Sequence, residues 1–220
     1  MRSTLFFLGV TLLAVIWLGP LPLLAQHSFA AHMTMHMAVV AVAAPIIAFA
    51  LTRSTYDRIF RTSWAGASIA ASMIELVVVW GWHAPALHLL ARHQAWALVA
   101  EQGSFLLAGL LLWTTAIAGA PHREKVHAGA GVVALLFTSM HMTLLGALFA
   151  LANRPLFQHL AVTEGALADQ HLGGAVMLIV GGASYLGGGL YLTARLLCAS
   201  PVGTRPALTE RTRVEGESFS

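Results

Sequence analysis

The chain predicts an all-α fold, a polytopic transmembrane helical bundle of six helices with the N-terminus and C-terminus both cytoplasmic. Three observations carry this. Of the 220 residues, 58% are hydrophobic and only 10% are charged, and the mean hydropathy is +0.76. A soluble domain carries about 25% charged residues, so this surface belongs in lipid. Uncharged stretches near twenty residues recur along the chain, each able to cross a hydrocarbon core of roughly 30 Å as a helix. Finally, Lys and Arg alternate in abundance between successive connections, ten falling on one side and only Arg92 and Arg154 on the other. The richer side is cytoplasmic by the positive-inside rule. The basic balance, a formal charge of +3, therefore reports topology and calls for no nucleic acid partner.

The six apolar runs cover residues 4–24, 29–51, 63–82, 99–118, 128–151 and 172–192. The first resembles a signal peptide in length, but Pro20 and Pro22 near its end leave an extended exit rather than a small-residue cleavage site, and it reads as a retained helix. Pro45 lies inside the second, where it frees the carbonyl of Ala41 and predicts a kink. Pro85 and Pro121 stop the third and fourth. Glycine pairs in the sixth run, Gly173-Gly174 among them, predict close helix approach rather than a phosphate loop, since no strand or Lys-Ser/Thr pair accompanies them. Residues 1–198 thus form the membrane domain and 199–220 a polar, disordered cytoplasmic tail. Cys198 is the single cysteine, which excludes an internal disulfide and a Cys-x-x-Cys site.

On this topology, eight of the eleven histidines collect on the outer side. The densest stretch is His32-Met33-Thr34-Met35-His36-Met37. His32 and His36 share one helix face by their spacing of four, and Met33 and Met37 form an adjacent pair. Imidazole with thioether suits a soft cation, Cu(I) above all. The fifth run repeats the pattern in Met140-His141-Met142, and His83 stands at the outer end of the third. The predicted metal set is His32, Met33, His36, Met37, His83 and His141. Met as a core filler is the competing reading. Glu75 lies about 12 Å inside the third run, counting 1.5 Å per residue. An acid at that depth needs a partner, and either His141 or a backbone carbonyl is expected to supply it. Glu101 and Asp169 are expected to start helices and to satisfy free N–H groups there. No nucleophile–base pair for hydrolysis is present in the pattern, so an enzyme is not expected.

Four segments, in order, resemble the CtaG-type, caa3-class family of cytochrome c oxidase assembly factors. They are Phe29 to Met37 with Ala44-Pro45, then Trp82-His83-Ala84-Pro85, then Glu101-Gln102-Gly103-Ser104 onward to Trp113, and Asp169-Gln170-His171-Leu172-Gly173-Gly174. The resemblance places the family's His/Met motif on His32, Met33, His36 and Met37, and its Asp-Gln element on Asp169 and Gln170. It departs at Gln102, where family members commonly carry histidine. What it implies is a non-enzymatic factor that holds or delivers copper at the outer face of a bacterial inner membrane. Cytochrome c oxidase subunits, a periplasmic copper chaperone and membrane lipids are the implied partners. A copper transporter, with a route past Glu75 and His141, is the alternative. A haem-binding oxidoreductase comes third, since its axial ligands would have to face each other at matching depth.

Overall fold

The computed structural model describes residues 2–52, 64, 66–118, 124–157 and 165–198, and among them there are helices and no strand. The polar tail beyond residue 198, together with His122 and His159, lies outside the described residues. Helix α1 is Arg2–Leu18 and α2 is the short turn Leu21–Ala25. Helix α3 is Phe29–Thr52, with a π-helical stretch at Ala38–Ala43. Then follow α4 (Ala67–Trp82), α5 (Pro85–His93), α6 (Ala95–Ile117), α7 (Glu124–Ala150) and α8 (Ala166–Cys198), the last with a π-helical stretch at Met177–Gly181.

Each of the six apolar runs contributes a helix among the described residues, but their membrane character differs. Four helices (α3, α6, α7 and α8) are long and apolar enough to cross a membrane, and α4 with α5 makes a fifth if the pair counts as one broken span bent by 72°. Helix α1 is apolar but only 17 residues long, because Gly19 and Pro20 end it. At 1.5 Å per residue it reaches about 26 Å, the lower end of the length that crosses a hydrocarbon core. Among the described residues, four or five of the six expected spans meet that test, and α1 packs along α3 through Gly9 against Ile47.

Helix α3 is the most enclosed of the long helices, flanked by α1, α6 and α8. Pro45 explains its π-helical stretch. Proline has no N–H to donate to Ala41, four residues earlier. The carbonyl of Ala41 instead accepts from Ser184 Oγ of α8 at 2.6 Å, and Ala44 N–H bonds back to Val39, five residues away. Close helix approach is concentrated at Gly174, where an added Cβ would lie 2.5 Å from Ala150 N and 2.7 Å from Gly146 O of α7.

One end of the bundle holds the starts of α3, α6 and α8, the bend between α4 and α5, and the end of α7. Polar contacts knit it. Asp169 accepts from the backbone of Phe29 and Ala30, Arg92 donates to the carbonyls of Gln26 and Ser28, and His171 contacts Ala152 O. Asp169 therefore satisfies N–H groups of another helix rather than of its own. The first turn of α3 is completed by Ser28 Oγ, which accepts from Ala31 N–H and donates to Asp169.

Candidate metal centre

At this end of the bundle, α3 turns His32 and His36 toward α6. Among the described residues, His32, His36 and Glu101 bring three potential ligand atoms within 4.8 Å of one another. The Nε2 atoms of His32 and His36 are 2.8 Å apart, and Glu101 Oε1 lies 3.4 Å from the first and 3.5 Å from the second. All three side chains are buried. Neither Glu101 oxygen has a hydrogen-bond partner. A buried carboxylate with only two imidazole nitrogens at 3.4 and 3.5 Å, both beyond a good hydrogen bond, is costly, and it marks a place where a cation is wanted.

The expected role of Glu101 as a helix start is corrected here. Helix α6 begins at Ala95, so Glu101 is two turns in and faces the core with Ala97, Phe105, Ala108 and Leu112. These positions are three or four residues apart, the spacing of one helix face. That periodicity was the signal for Glu101 in the sequence, together with its charge inside an apolar helix.

Three more groups surround the trio. His36 Nδ1 lies 2.9 Å from Gln102 Nε2, and Gln102 Oε1 accepts from Trp17 Nε1–H at 3.3 Å. His83 Nδ1 bonds to the carbonyl of Val79 at 2.6 Å. A carbonyl only accepts, so Nδ1 carries the hydrogen and Nε2 of the neutral ring keeps its lone pair. That Nε2 is buried and has no hydrogen-bond partner, and the ring centroid is 5.8 Å from that of His36. Such an anchored tautomer is the usual form of a metal-binding imidazole. His88 differs, because its Nε2 accepts from Arg92 Nε–H at 3.2 Å. Its ring stacks on Phe157 at 4.1 Å and meets His32 at 4.8 Å, so it walls the cluster. Phe105 against His36 and Phe149 against His83 complete an aromatic lining of the cluster.

The other sequence-predicted residues are not brought to this point. Met33 and Met37 face α8. A Cβ on Gly173 would be 3.1 Å from Met33 Cγ, and one on Gly181 would be 3.8 Å from Met37 Sδ. Each step along a helix turns the side chain by roughly 100°, so the residues following His32 and His36 point to a different neighbour. Met35, fully buried, borders the cleft lined by Trp17, Leu98 and Gln102. His141 stands eight residues before Phe149 on α7, about 12 Å further along the helix. Its two ring nitrogens are buried without a hydrogen-bond partner, and its ring touches Phe137.

Glu75 and His141 do not form the expected pair, nor does Glu75 use a backbone carbonyl. Glu75 accepts from Tyr185 Oη at 2.9 Å and from Thr138 Oγ1 at 3.2 Å. Thr138, one turn before His141, is the α7 residue level with Glu75. Ser72 contacts Thr138 and donates to Ala134 O, and Trp113 stacks on Tyr185 at 5.6 Å. This second polar cluster joins α4, α7 and α8 below the histidines.

Comparison with curated proteins and with solved structures finds no match. A family model does match, over residues 1–198, the whole of the helical bundle, and its description is that of the cytochrome c oxidase caa3 assembly factor. The buried His32–His36–Glu101 trio lies inside the matched region. On that match the chain belongs to the caa3 assembly factor family of cytochrome c oxidase, Caa3_CtaG.

Proposed function

We propose that this chain holds a copper ion at His32, His36 and Glu101, on the outer face of a bacterial inner membrane, for insertion into cytochrome c oxidase. Family membership supports the association with the oxidase and an accessory, non-catalytic part in its assembly. The observation that carries the metal reading is the Glu101 carboxylate, buried between two imidazoles with neither oxygen hydrogen-bonded. A cation placed there meets two nitrogens and one oxygen, and His83 Nε2 offers a further lone pair nearby.

This donor set suits Cu(II) or Zn(II), whereas Cu(I) prefers thioethers. Met33 and Met37 stand with α8 and Met35 borders the cleft beside Trp17 and Gln102, so the nitrogens and oxygen of the trio favour the divalent ions. Holding and passing an ion requires no bond-making step by the protein. A periplasmic copper chaperone as donor and an oxidase subunit as acceptor fit a site at the end of the bundle. The transport alternative gains nothing specific, since both oxygens of Glu75 are occupied by hydroxyl donors. The haem alternative lacks room, because Phe105, Phe149 and Phe157 pack directly on the imidazoles.

The test is metal competition on detergent-purified protein with Cu(I), Cu(II) and Zn(II), using calibrated chelators. His32→Ala with His36→Ala, and Glu101→Gln separately, should each weaken divalent binding at least about tenfold, the effect of losing a ligand or its charge. Met33→Leu with Met37→Leu should leave it nearly unchanged. Glu101→Leu should lose the metal yet leave the metal-free protein as stable or more so, because an uncompensated buried charge is removed. Equal affinity of the wild type and the double histidine variant would overturn the site.

A further inference from the structure

The hydrogen-bond chain Trp17–Gln102–His36 fixes more than position. An indole N–H can only donate, so Gln102 must present its oxygen to Trp17. Its amide nitrogen then faces His36 Nδ1 at 2.9 Å as a donor, and Nδ1 must accept. In the neutral ring the hydrogen consequently sits on Nε2, the atom 2.8 Å from His32 Nε2 and 3.5 Å from Glu101. That is the tautomer that cannot offer Nε2 to a metal.

From this geometry we infer that Trp17 and Gln102 form a latch that holds His36 in a non-binding tautomer, and that metal binding turns the Gln102 amide over and releases Trp17. The inference rests on the metal reading given above. For His36 Nε2 to become a ligand, the hydrogen moves from Nε2 to Nδ1, and the ring stays neutral with no net gain or loss of protons. Nδ1–H then needs an acceptor, which Gln102 supplies only by presenting Oε1. The amide NH2 now faces the Trp17 N–H, two donors with no acceptor between them, and that contact is lost. Space for the rotation exists. Gln102 borders a cleft of about 350 Å³ between α1–α2 and α6, lined also by Trp17, Pro22, Met35, Leu98 and Val99. Gln102 is thus a positioning residue for His36, and Trp17 sets the position it holds. Because Trp17 lies on α1, the state of the site is passed to the helix at the edge of the bundle.

The latch makes a prediction opposite to that of a structural role. Trp17→Phe keeps the ring but removes the donor, and should tighten Zn(II) binding about fivefold, the equivalent of one ordinary hydrogen bond that need no longer be broken. Gln102→Glu presents two acceptors, satisfying Trp17 N–H and His36 Nδ1–H together, and should also tighten binding. In the Gln102→Glu background, Trp17→Phe should add nothing. In the wild-type protein, the ¹⁵N–H signal of the Trp17 indole should shift to its unbonded position on titration with Zn(II). Wild-type protein that binds neither Zn(II) nor copper would remove the metal site and this inference with it. Wild-type protein that binds Zn(II) with an unmoved Trp17 signal, or with affinity unchanged or weakened by Trp17→Phe, would overturn the latch alone.

Discussion

Asp169 Oδ2 accepts the backbone N–H of Phe29 at 2.6 Å, joining the first turn of α8 to the first turn of α3. His32 is three residues past Phe29, so the acid that secures the start of α3 also secures the rotation that aims His32 at Glu101. Asp169 Oδ1 bonds Ser28 Oγ and Ala30 N–H as well, which leaves the N–H groups of residues 29 to 31 satisfied by Asp169 and Ser28 together.

Asp169→Ala should therefore cost about 1–2 kcal/mol, the range for losing an N-terminal cap. It should also weaken metal binding, though no ligand is altered. Asp169→Asn, which keeps an acceptor, should lie between. Thermal unfolding in detergent, alongside Zn(II) competition, measures both. An unchanged melting temperature for the alanine variant would show that water replaces the carboxylate without loss.

Ser184→Ala removes the donor to Ala41 O and leaves that carbonyl buried beside a proline that cannot serve it. The expected loss is about 1–2 kcal/mol. Pro45→Ala restores a backbone N–H, so the double variant should be more stable than Ser184→Ala alone. A double variant that is less stable would mean that the π-helical stretch, not the missing N–H, is what Ser184 supports.

Gly174→Ala should loosen α7 from α8. Its methyl would meet backbone atoms of Ala150 and Gly146, which cannot move aside as a flexible side chain can. About 1–3 kcal/mol of destabilisation is expected from such overpacking. Gly187→Ala, with nothing within 4 Å of the new methyl, should be neutral or stabilising by up to about 1 kcal/mol through helix propensity. Comparing the two unfolding curves separates close approach from helix propensity.

The distribution of Lys and Arg predicts that a reporter fused after residue 55 stays cytoplasmic, while one at residue 90 reaches the outer compartment. The reverse labelling would move the histidine-rich end to the cytoplasmic side and end the outer-face proposal.

Helix identity was legible because lipid demands long uncharged runs, and each run formed a helix. Their ends were less so. The start of α6 at Ala95 rather than Val99 moved Glu101 from a helix terminus into the core, since Trp96 and Ala97 are as compatible with a helix as with a connection. The short first helix followed from Gly19 and Pro20, whose stop signal outweighs the apolar residues beyond them.

By itself, the amino-acid order determined the helical membrane class, the grouping of histidines at one end and the shared face of His32 and His36. These are properties of composition and of the 3.6-residue turn, which need no neighbours. Only the tertiary structure decided what that face meets. Glu101 and Gln102 are 65 or more residues from His32 and His36 along the chain, and it is the packing of α6 beside α3 that puts them in contact. The packing of α8 beside α3 set Met33 and Met37 against its glycines, and that of α7 and α8 on α4 gave Glu75 two hydroxyls in place of His141. Spacing along one helix states which side chains travel together, while the partner on the facing helix is set by which pair of surfaces, here the glycine-lined face of α8 and the acid-bearing face of α6, can approach α3 closely.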